Sequence, residues 1–114
     1  MGTTTNNTGK VGFAALNSAN VRLDNSQDDT RKYDVAANAS ISGTEITSID
    51  SGSVTAKDGM QVASFSSNGM PAYTINIMGT VADEDRGDVL AAINDFLIGA
   101  KAYVKTNPIT ANNN

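Results

Sequence analysis

The densest run of ionisable side chains is Asp83-Glu84-Asp85-Arg86-Gly87-Asp88, four carboxylates and a guanidinium in six residues. Carboxylates interrupted by a glycine are the ligand chemistry of a calcium loop. A loop of the EF-hand type closes on an acidic twelfth residue, however, and the twelfth counted from Asp83 is Asn94. The same carboxylates have a plainer role at the start of a helix, where negative charge meets the positive end of the backbone dipole. No metal ligand is assigned on this run.

Other reaction chemistry is thin. The chain has no His and no Cys, which removes the commonest general base, the commonest transition-metal ligand and every thiolate. Serine and threonine nucleophiles lack a histidine partner, and a grouping of Ser53 with Lys57 or Asp58 falls on a hairpin tip, open to water, where pKa tuning is hard. Neither glycine-rich phosphate-binding spacing occurs. The expectation is a non-enzyme with no catalytic residues, no cofactor and no metal; carboxylate-pair chemistry of the glycan-hydrolysing kind is the one enzymatic route left.

Partner classes narrow in the same way. Net charge is −4, and the basic residues Lys10, Arg22, Arg31, Lys32, Lys57, Arg86, Lys101 and Lys105 are scattered, with only Arg31-Lys32 adjacent. Phosphate backbone is bound by clustered cations that displace counterions, so a nucleic-acid role is disfavoured. No stretch approaches the ~20 apolar residues of a membrane span, and the first residues lack the basic and apolar regions of a secretory signal. The expectation is a cytoplasmic chain with no membrane partner, able to enter a virion. Only 18% of residues are charged and 5% aromatic, in a chain rich in Ser, Thr, Asn and Ala. Such surfaces recur where strands stack densely or where neighbouring copies cover the molecule, and the expected partners are copies of the chain, in a homo-oligomer, and other structural proteins.

The element that must organise the chain is a helix over residues 83–105. Val89, Ile93, Phe96, Leu97, Ala100, Tyr103 and Val104 recur at the spacing of one buried face, with Leu90 at its edge. Asp83 or Asp85 is the expected N-cap, and Pro108 stops the helix by about Lys105. A second stripe of small residues, Ala91, Ala92, Ile98, Gly99 and Ala102, interrupted by Asp95, lies away from that face. Ile98 points opposite Ile93, so Ala91, Asp95, Ile98, Gly99 and Ala102 are the candidate subunit contact.

Ahead of the helix the period is two. Residues 1–9 show no apolar pattern and read as a flexible arm, residues 10–16 as a first strand, and residues 21–24 as either a second strand or the first resumed after a bulge. Residues 25–32 are wholly polar, a surface loop whose Asp28, Asp29, Arg31 and Lys32 are candidate contacts. Residues 33–41 alternate cleanly, with Tyr33, Val35, Ala37, Ala39 and Ile41 facing one way. Residues 45–50 resume the pattern, and the three-residue step from Ile46 to Ile49 implies either a bulge or a strand seen from both faces. Strands at 53–56, 60–65 and 72–78 follow, with turns at Lys57-Asp58-Gly59 and Ser67-Asn68-Gly69.

Together these predict one α+β domain over residues 10–105: an antiparallel sheet of about five or six strands, open, curled into a partial barrel or split into a sandwich, packed by one C-terminal amphipathic helix. Residues 106–114 are expected to be a flexible tail. In architecture alone, such a sheet with one helix and polar arms resembles small phage structural proteins that build rings or tubes. The expected function is a self-associating structural or interaction module of phage or mobile-element type. The alternative is a monomeric small-ligand or protein-binding domain that uses the 25–32 loop and the hairpin tips at Asp58 and Asn68.

Overall fold

Alternating inward apolar and outward polar residues generate a single open sheet. The computed structural model describes residues 12–13 and 20–106. Its strands are β1 (Gly12–Phe13), β2 (Asn20–Asp24), β3 (Tyr33–Ser42), β4 (Glu45–Ala56), β5 (Gln61–Gly69) and β6 (Ala72–Ile77), neighbours in chain order and antiparallel throughout. One helix, α1 (Asp83–Thr106), lies across β3 and β4. The α+β expectation holds, and the sheet is neither closed nor doubled, because α1 occupies the apolar face that a second sheet would have covered. The expected arm at 1–9, most of the expected first strand and the tail beyond Thr106 lie outside the described residues.

Strand β3 follows the pattern that its sequence predicts. Tyr33, Val35, Ala37, Ala39 and Ile41 are all buried, and the small Ala37, Ala39 and Ala63 leave room for the bulk of Ile93, Phe96 and Leu97 from the helix. Phe65 and Phe96 meet edge to face, with ring centroids 6.0 Å apart and planes at 66°.

Strand β4 runs for 12 residues where the sequence suggested two shorter segments. Ser40 lies opposite Ser48 but Ile41 opposite Ile46, so Thr47 is an extra residue, and the Ile46–Ile49 step is a bulge. A second bulge follows: Ile49 faces Ser67 and Gly52 faces Phe65, and Ser51 takes a φ of 54°. Each inserted residue restores the inward parity, so Ile46, Ile49 and Val54 all reach the core.

The turn expected at Ser67-Asn68-Gly69 sits later, at Met70-Pro71, whose peptide bond is cis, and β5 continues through Gly69. Ser67 explains the extension. Its buried hydroxyl donates to the Ala72 carbonyl and accepts from the Gly69 N–H at 3.1 Å, holding the ends of β5 and β6 together. The helix begins at Asp83 itself, so Asp83 and Asp85 lie inside its first turn rather than at the N-cap, which falls to Ala82. The carboxylates there act on the dipole by charge. At the other end Thr106 belongs to the helix, its hydroxyl donating to the Ala102 carbonyl at 3.1 Å.

Candidate functional site

The polar 25–32 loop is built by short side chains that substitute for backbone. Asn25 continues the β2–β3 ladder: its N–H donates to the Val35 carbonyl at 3.1 Å, its Oδ1 accepts from the Val35 N–H at 2.9 Å, and its Nδ2 donates to the Tyr33 carbonyl at 3.0 Å. Asp24 and Asp28 each accept from a backbone N–H two residues on, at Ser26 (2.9 Å) and Thr30 (3.0 Å), the geometry of Asx turns. The guanidinium of Arg31 donates to Asp34 at 2.6 Å and to the carbonyls of Ser26 (3.1 Å) and Asp28 (2.9 Å). Lys32 donates to Asp88 of α1 at 2.7 Å and so ties the loop to the helix.

Those pairings raise the pKa of both cations, through the hydrogen bond to Asp34 for Arg31 and to Asp88 for Lys32. A raised lysine pKa contributes stability that is present below the ordinary lysine range and fades as pH rises through the folded-state value. The Lys32–Asp88 tie therefore persists at neutral pH and is lost in strong alkali, where the lysine gives up its proton.

Between loop and helix lies a groove of about 310 Å³ that joins both sets of candidates from the sequence. Asp28, Arg31 and Lys32 form one wall, and Asp88, Ala91 and Asp95 the other. Asp29 is exposed but outside the groove. Of the remaining stripe, Ile98 is 49% exposed, Ala102 is half-buried and Gly99 is buried. Gly99 thus does not join an outward surface: three residues from Phe96, it flanks the core stripe, and with no side chain it stays below the helix surface.

Two carboxylates of the acidic run at the helix start form ion pairs, Asp83 with Arg86 at 3.5 Å and Asp88 with Lys32 at 2.7 Å. Among the described residues no three acidic side chains converge as an ion site. At the β4–β5 tip Asp58 accepts from the Met60 N–H at 2.9 Å and serves its own turn. Asn68, expected at a hairpin tip, lies in β5.

Strand β6 forms one border of the sheet. The N–H of Met78 donates to Val62 at 2.9 Å, which sets the phase of the β5–β6 ladder. Antiparallel partners alternate between bonded and non-bonded pairs. Thr74 and Asn76, opposite Ser66 and Ser64, therefore aim their peptide groups at β5, and Tyr73, Ile75 and Ile77 aim theirs out of the sheet. The side chains of these three lie on the helix side, since Ile75 faces Phe65 and Ile77 faces Ala63. Because α1 sits over β3 and β4, it covers them incompletely: Tyr73 is 39% exposed and the two isoleucines are half-buried. Leu90, on the flank of α1 opposite the groove, is 44% exposed. No Asp, Glu, Lys or Arg occurs anywhere in residues 59–82, which hold all of β5 and β6.

Comparison of the chain with protein-family models, with curated proteins and with solved structures finds no match.

Proposed function

We propose that the chain is a self-associating interaction module whose sheet continues into a neighbouring chain across β6. The observation that carries this reading is an uncharged edge strand with outward peptide groups at Tyr73, Ile75 and Ile77. Proteins that remain monomeric guard such edges with lysines, prolines, bulges or covering loops. Here Pro71 precedes the strand, and the pairing with β5 is regular from Thr74 to Ile77. A chain that continues its sheet into a second copy suits a structural component of a phage or mobile element.

Absolute mass by light scattering, at several concentrations and two salt strengths, tests the reading. The parent should form a stable multiple of 11.8 kDa. Tyr73→Pro removes an outward N–H at an edge position where proline is tolerated, and should return the mass to one chain. Ile98→Glu, on the outer helix face, should leave the oligomer intact. The reverse pattern would move the contact to the helix stripe. A parent that stays monomeric throughout would sink the reading in favour of a second one, a ligand-binding role for the groove that joins Arg31 and Lys32 to Asp88 and Asp95.

A further inference from the structure

We infer that the occupant of the β6 edge is β6 of a second copy, paired antiparallel about a two-fold axis through Ile75. The inference rests on the self-association proposed above and specifies its register. Outward peptide groups occur at alternate positions, so two antiparallel copies can pair only where outward faces outward. Placing Ile75 opposite its own copy puts Tyr73 opposite Ile77 and Ile77 opposite Tyr73, using all three positions of both strands in hydrogen-bonded pairs. A shift one way sets Ile77 against Pro71, which has no N–H to give. A shift the other way sets Tyr73 against Gly79, which lies in a turn beyond the strand.

Side chains and charge agree with the centred register. The two-fold keeps Tyr73, Ile75 and Ile77 of both copies on the helix side, forming aromatic and β-branched cross-strand pairs over surface that α1 leaves open. With residues 59–82 free of charge, the net −4 of each copy is carried elsewhere, and no like charges are brought together at the seam. A strongly charged partner strand would find no counter-charge there. This contact is isologous, so it closes on a dimer, and any larger assembly needs a second surface.

The absence of native cysteine makes single introduced cysteines a clean readout. In the centred register residue 74 faces residue 76 of the other copy in a non-hydrogen-bonded pair, with Cα atoms about 4.5 Å apart, within disulfide reach. An equimolar mixture of full-length Thr74→Cys and Asn76→Cys should therefore cross-link on mild oxidation, and neither variant alone should do so. Disulfide dimers of Thr74→Cys alone, or of Asn76→Cys alone, would overturn the inference in favour of a shifted register. No cross-link in any mixture, with light scattering showing an oligomer for each variant, would overturn it while leaving self-association standing. Variants and parent that are all monomeric would remove both.

Discussion

Gly52→Ala should destabilise the chain by about 3 kcal/mol, at the upper end of the overpacking range. A Cβ at Gly52 would stand 2.5 Å from the carbonyl oxygen of Phe65 and 2.7 Å from two carbons of its ring. Neither neighbour can give way at low cost. The carbonyl belongs to the strand that pairs with Gly52, and the ring is held edge-on by Phe96. Against a total stability of about 5–15 kcal/mol for a domain, such a loss should move the urea midpoint far down. Adding Phe65→Leu should recover only part of it, because the contact with the carbonyl remains. An alanine variant as stable as the parent would mean that β4 does not pass under Phe65 in this way.

Phe96→Ala should cost about 3–5 kcal/mol, the range for deleting a buried aromatic ring. Phe96 is 2% exposed, and it is the helix side chain that meets Phe65 from above the bulge. Its loss removes apolar burial and also leaves a cavity between helix and sheet. Leu90→Ala on the same helix should cost under about 1 kcal/mol, because a side chain 44% exposed surrenders little burial. Urea denaturation of the pair gives the comparison. Equal losses would contradict the docking of α1 by its Val89, Ile93 and Phe96 face.

The two regular patterns were legible from spacing alone. Tyr33 to Ile41 alternates without interruption and is β3, and the stripe from Val89 to Val104 is the buried face of α1 except at Tyr103, which is half-buried. Where the backbone departs from regularity, spacing gives only a choice. Ile46 and Ile49 admitted a bulge or a two-faced strand, and only the register against Ser40 and Ile41 decides between them. Nor does a glycine in a list of residues show that an aromatic ring lies over it, as Phe65 lies over Gly52.

Ser67-Asn68-Gly69 has turn composition, but the Ser67 hydroxyl is buried and bonded across the hairpin to Ala72, and that bond carries the strand past the turn-like residues. Asn25 lies in a run whose composition says only that it is polar. The repeated Asp-x-Ser/Thr spacing, Asp24 to Ser26 and Asp28 to Thr30, was the available sign that this loop makes its own turns.

The candidate residues divide by the same logic. A helical angle correctly sends Ile98 outward, but it cannot show that loop 25–32 folds back beside Ala91 and Asp95. The β6 edge depended on strand order, which no single strand encodes. Its one local sign, the run without charge from 59 to 82, becomes informative once that run is placed at the border of the sheet.

Amide hydrogen exchange along β6, followed at low and high protein concentration, tests that border most directly. Thr74 and Asn76 donate within the sheet and should be protected at both concentrations. Tyr73, Ile75 and Ile77 should exchange quickly when dilute and become protected as the concentration rises and their N–H groups find partners. Fast exchange at those three positions at every concentration would contradict a sheet that continues from one chain to the next.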